Sequence, residues 1–173
     1  MLLRLDELNS LQSDIERYLG NKSKITDLML DWLALAYADG KTDVEDQLRG
    51  ETDIPLVRIQ EVIYAKVGGK TAFERIEDDL DSIEDLLLLF ENERQRVYNT
   101  AGHDTAENLG AKYKTWHCQM LPTSRDTHIY LNGMQKPMNE PFYTYNGNSA
   151  MYPRSFGEPS EDINCVCYCT YNK

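Results

Sequence analysis

The feature that most constrains this chain is a change of punctuation near residue 110. Before it, apolar residues recur at three- and four-residue steps. Beyond it, Pro122, Gly133, Pro137, Pro141, Gly147, Pro153, Gly157 and Pro159 interrupt the chain every few residues. Long helices do not survive that density of residues that lack an N–H or favour turns. The pattern predicts an α+β protein: an acidic helical region over 1–80, a long helix over 81–112, and a small loop-rich α+β domain with a short antiparallel sheet over 113–173. A chain of 173 residues is long enough to bury a core without disulfides or metals.

In the first region Leu2, Leu3, Leu5, Leu8, Leu11, Ile15 and Leu19 form one helical stripe, stopped by Gly20-Asn21. Ile25, Leu28, Met29, Trp32, Leu33 and Ala36 form a second, read as ending at Asp39-Gly40. A third helix starts near Pro55 and runs through Ile59, Val62, Ile63 and Val67 to Gly68-Gly69. Residues 72–80 form a fourth, and a longer helix over 81–109 carries the run Leu86, Leu87, Leu88, Leu89, Phe90. That run is the longest apolar stretch and is far short of the roughly 18 residues of a membrane helix. The first eight residues carry acids and lack a signal-peptide core, so a soluble, non-secreted protein without membrane partners is expected.

Charge divides the chain at the same place. The net charge of −11 splits into −10 for residues 1–100 and −1 for residues 101–173. No excess of cations exists to displace counterions, so charge does not support DNA contact. Glu77, Asp78, Asp79, Asp81, Glu84 and Asp85 make either a solvated helix face or a patch for a basic partner. Ten of the seventeen aromatics, all four cysteines and all three histidines fall after residue 100.

There, residues 127–131 and 142–145 have strand-like composition, with Asn132-Gly133 as a turn between strands. Residues 163–171 make the best strand, alternation placing Ile163, Cys165, Cys167, Cys169 and Tyr171 on one face. Gly68-Gly69-Lys70-Thr71 is not a phosphate-binding loop, because Tyr64 stands where the motif needs its first glycine. Metalloprotease, nucleophile-elbow and dinucleotide motifs are absent too.

The cysteines admit three readings: buried packing residues, a structural zinc site, or redox use. Thiolates with imidazole suit zinc, and Cys165, Cys167, His128 and either Cys118 or His117 offer four ligands. A bridge between Cys165 and Cys167 is disfavoured, since in an extended strand their alpha carbons lie about 6.6 Å apart. Arg125 and His128, with Glu140 or Glu161, suit a small nuclease or toxin-like enzyme, His128 moving a proton and Arg125 steadying charge. The alternative is that Arg125 and His128 tie loops together through backbone carbonyls or Glu161.

Arg94-x-x-x-Tyr98-Asn99, Lys112-x-Lys114-x-Trp116, Arg125-x-x-His128, Leu131-Asn132-Gly133, Pro141-Phe142, Met151-Tyr152-Pro153 and Glu161-x-Ile163-Asn164-Cys165-x-Cys167 follow one another in order. Over residues 90–171 this set resembles the phage Mu F-like minor head protein family. The resemblance implies a minor head component of a phage or prophage, associated with the portal or other head proteins, found in the virion head and in the bacterial cytoplasm during assembly. It also implies that Trp116, Arg125, His128, Gly133, Phe142, Pro153, Asn164, Cys165 and Cys167 hold a fold together, with no catalysis required. The chain departs from the pattern at Leu121-Pro122-Thr123-Ser124, where relatives carry an acid and an arginine, and at Val166, commonly arginine.

Overall fold

The structure is a computed structural model and describes residues 5–173. Leu2 and Leu3 of the first stripe lie outside the described residues. Five helices come first: α1 (Leu5–Tyr18), α2 (Lys22–Leu48), α3 (Leu56–Ile63), α4 (Ala72–Asp79) and α5 (Ile83–Asn108). Then follow β1 (Tyr113–His117), α6 (Asp126–Leu131), β2 (Gln135–Pro137), β3 (Phe142–Tyr143), β4 (Ser149–Ala150), α7 (Pro159–Asp162) and β5 (Tyr168–Asn172). This is the expected α+β architecture, helical first and short-stranded second. Among the described residues no helix is long and apolar enough to cross a membrane.

The helical layer closes over Ile15, Ile25, Met29, Leu33, Ile76, Leu86, Phe90 and Val97, all fully buried. Of the first stripe, α1 buries only Leu11 and Ile15, while Leu5 is exposed. The acidic patch is partly neutralised at its rim, where Lys22 pairs with Glu77 and Lys70 with Asp78; such exposed pairs add little stability.

Two helix ends differ from the sequence reading. α2 does not stop at Gly40 but runs on to Leu48, where Arg49 adopts a left-handed cap and Gly50 N–H bonds Glu45 O. Gly40 lies instead where α2 crosses α5: a Cβ there would stand 2.3 Å from Tyr98 O, and one on Gly102 would stand 3.3 Å from Val44 Cγ2. The glycine marks a close approach of two backbones rather than a helix terminus. α3 ends at Ile63, short of Gly68-Gly69, which turn tightly at φ 61° and 86° so that Val67 pairs with Lys70. Thr71 then caps α4 in a reciprocal box with Glu74, which accounts for the Gly-Gly-Lys-Thr run without a phosphate.

In the second region β1 is the centre of a sheet ordered β2-β1-β5, antiparallel throughout, with Trp116 opposite Cys169. β3 and β4 form a separate hairpin pairing Phe142 with Ala150. Two strand expectations are corrected. Residues 127–131 are helix α6, which buries Thr127, His128 and Leu131 at helical rather than alternating spacing. The strand expected over 163–171 begins only at Tyr168, because Asn164 takes φ 58° after α7 and Cys165 N–H bonds Asp162 O. Ile163 is consequently exposed and does not share a face with the cysteines.

The middle of α5 is buried on nearly every side, including Glu93, Arg94, Gln95, Arg96, Asn99, Thr100, His103 and Asp104. Glu93 pairs with Arg75 and Arg96, and Asp104 accepts two hydrogen bonds from Arg58. His103 lies 4.6 Å from the Tyr152 ring, and burial, with Lys114 and Arg58 adding to it, lowers its pKa from 6.5 to about 4.

Gly40→Ala should therefore destabilise the protein by about 3 kcal/mol in urea unfolding, and Gly102→Ala by less, since Val44 can shift where a carbonyl cannot. A cost for Gly40→Ala below about 0.5 kcal/mol would contradict the close crossing. The folded pKa of His103 is depressed, so the unfolded chain binds the extra proton between pH 6.5 and about 4, and stability falls as pH drops through that window. The loss should reach about 3 kcal/mol, and His103→Gln should flatten that part of the profile.

Candidate functional site

The loop between α7 and β5 is fastened to α5 by its backbone. Gln95 Nε2 and Asn99 Nδ2, one helical turn apart, both donate to Cys167 O, at 3.3 and 3.1 Å. Asn92 Oδ1 accepts from Asn164 N–H at 2.8 Å. Arg154 closes the arrangement: its Nε donates to Cys165 O and its Nη1 to Asn92 O, each at 2.8 Å. A planar guanidinium thereby joins α5 to the loop, donating to one carbonyl on each.

This places Cys165 and Cys167, both buried, against His128 of α6. His128 Nδ1 lies 3.4 Å from Cys165 Sγ and 3.6 Å from Cys167 Sγ. On the other side of the ring, Nε2 lies 3.1 Å from Glu161 Oε2, in ion-pair reach but without hydrogen-bond alignment. Glu161 is 3% exposed and accepts from Thr127 Oγ1, Asn148 Nδ2 and Asn146 Nδ2. Burial pushes its pKa up, but those three bonds and the imidazole outweigh burial and hold it below the ordinary glutamate value. The Cys167 thiol beside it, together with His128, holds the Cys165 thiol well below the usual range against the cost of burial. Cys167 is pushed up correspondingly by Cys165 and by burial, so one thiolate is favoured over two.

An aromatic wall encloses the cluster. Phe156 stacks on the His128 ring at 5.5 Å, and Trp116 meets His128, Phe142 and Phe156 edge-on. A cavity of about 130 Å³ opens beside it, lined by Cys118, Arg125, His128, Asn164 and Cys167 among others.

The structure brings His128, Cys165, Cys167 and Glu161 together. Cys118 is buried at the same cavity, but among the described residues only His128, Cys165 and Cys167 converge closely enough to share an ion. His117 is elsewhere, bonded to Thr170 Oγ1 at 2.8 Å and stacked on Tyr168. Cys169 lies outside the cluster, and all four cysteines are unbridged. Arg125 precedes α6 and donates through Nη2 to Ile163 O. Glu140 is exposed and takes no part. Gly133 N–H donates to Trp116 O, Phe142 and Pro153 are buried, and Asn164 is the left-handed hinge of the loop. Sequence reading missed Arg154, Asn92, Gln95, Thr127, Asn146 and Asn148; their partners lie 11 to 72 residues away, and no local pattern marks them.

A compact α+β domain docked on a long polar-centred helix, with a buried His-Cys-Cys-Glu cluster, is the class defined by these observations. The model of the family described as Phage Mu protein F like protein matches residues 60–170, and the chain belongs to that family. The match begins ahead of residue 90 and so includes α4 as well as all of α5. Among curated proteins, the NAD(+)–arginine ADP-ribosyltransferase EFV of Enterococcus faecalis (strain ATCC 700802 / V583) is 39% identical over 74 residues, 42% of this chain. The chain spans only 15% of that relative's length. No solved structure matches.

Arg154→Ala should cost about 2–4 kcal/mol in chemical denaturation, because the charged ties from one guanidinium to Cys165 O of the loop and to Asn92 of α5 are lost together. Arg154→Lys should recover less than half, a point charge being unable to serve both carbonyls in one plane. Full recovery by lysine would show that charge alone matters at this position.

Proposed function

We propose that the protein is a minor head component of a phage or prophage that acts in head morphogenesis in association with the portal, as a structural element without catalysis. The family match over residues 60–170 carries this reading. The site supports it: Arg125 is tied to Ile163 O, His128 is enclosed by thiols and rings, and Glu161 accepts three hydrogen bonds away from solvent. Arg125 and His128 do line one cavity, but Glu161 is not part of its wall, so the acid, base and arginine of a hydrolytic site do not meet there. The near-neutral balance of residues 101–173 argues against a DNA-gripping surface.

A second reading, transfer of ADP-ribose from NAD to arginine, draws on the name of the matched Enterococcus protein. Because the shared segment is a small part of that protein, the segment fits an attachment module common to both chains better than the transferase itself.

Co-expression with the head genes of the same phage, followed by mass spectrometry of gradient-purified proheads, tests the proposal. The chain should co-purify at a few copies per particle and disappear when the portal gene is omitted. Proheads lacking the chain, or label transfer from NAD to an arginine acceptor that His128→Ala abolishes in a folded protein, would overturn it.

A further inference from the structure

The convergence of His128 Nδ1 with two sulfurs asks for more than packing. The donors of His128, Cys165 and Cys167 lie within 4.8 Å of one another, and all three residues are buried. With Zn–S near 2.3 Å and Zn–N near 2.0–2.1 Å, the nitrogen-to-sulfur edge of a tetrahedral zinc site is about 3.5 Å. The two observed separations are 3.4 and 3.6 Å. Hydrogen bonding does not require this arrangement, because Nδ1 offers a single proton or a single lone pair and satisfies one thiol only. A cation at the common focus accounts for both.

The far side of the ring gives an independent reason. A metal on Nδ1 fixes the proton on Nε2, and Nε2 has no aligned hydrogen-bond partner but faces Glu161 at 3.1 Å. A carboxylate behind a ligating histidine sets its tautomer and raises its basicity. Glu161 is itself immobilised by Thr127, Asn146 and Asn148. A cavity lined by Cys118, His128 and Cys167 adjoins the cluster, where a water or a fourth ligand has room. Two soft thiolates and an imidazole in a tetrahedral set select zinc over the harder divalent ions.

We propose that His128, Cys165 and Cys167 bind one structural zinc ion, with Glu161 as the residue that positions His128. The ion joins α6 to a loop 37 to 39 residues later, where no ladder of backbone hydrogen bonds holds the two together. This holds whether or not the chain associates with a portal.

Elemental analysis of protein purified without chelator, together with cobalt(II) titration of reduced, zinc-free protein, tests it. One zinc per chain is expected, and cobalt should give thiolate charge-transfer bands and intense visible bands of tetrahedral geometry. Cys165→Ser and Cys167→Ser should each lose the metal, and Cys169→Ser should keep it. Glu161→Gln should retain the stoichiometry but bind zinc about 10- to 100-fold more weakly. Should the serine variants fail to fold, release of zinc from the unaltered protein on titration with an organomercurial decides the matter: one equivalent released supports the site. Less than about 0.1 zinc per chain with no cobalt bands on folded, reduced protein would overturn it.

Discussion

The middle of α5 is the constraint on which the rest depends. A helix whose buried face carries Glu93, Arg94, Gln95, Arg96, Asn99 and Asp104 cannot be covered by apolar side chains alone, since each polar group left without a partner costs about 1–3 kcal/mol. The fold answers with partners from distant parts of the chain: Val62 O for Arg96, Arg58 for Asp104, Arg75 for Glu93, and Cys167 O for Gln95 and Asn99. The helical layer and the strand-bearing region are thereby held to one element. The Gly40 crossing permits this, because only without a side chain there can α2 lie close enough to α5.

The His-Cys-Cys cluster follows from the same network. Its two cysteines belong to irregular backbone, so their positions come from bonds to their carbonyls: Arg154 on Cys165 O, Gln95 and Asn99 on Cys167 O. Irregular segments of this kind persist when surrounding groups over-determine them. The aromatic wall of Trp116, Phe142 and Phe156 then excludes water from one side of the cluster.

What could be read in the sequence was whatever depended on short-range repetition. The extent of α5 and the change to short elements near residue 110 were of that kind. Gly40 misled because a glycine looks the same whether it ends a helix or admits a neighbouring one. Residues 127–131 misled because β-branched and aromatic composition outweighed the burial spacing of Thr127, His128 and Leu131. The alternation over residues 163–171 concealed the turn at Asn164, whose left-handed conformation is stabilised from Asn92, far away in sequence. Arg154 and Glu161 act through partners that only the three-dimensional fold reveals.

The order of elements along the chain also bears on how the molecule is made. Residues 161–172 come after every segment they pack against: α5, α6, β1 and the Phe142 hairpin. On the ribosome, the helical layer can settle while the histidine of α6 still waits for its cysteines, and the buried amides of α5 remain open to water until the loop ahead of β5 emerges. The cluster thus cannot assemble before residues 161–167 have left the ribosome. Until it forms, the polar centre of α5 stays solvated and the two regions remain unjoined.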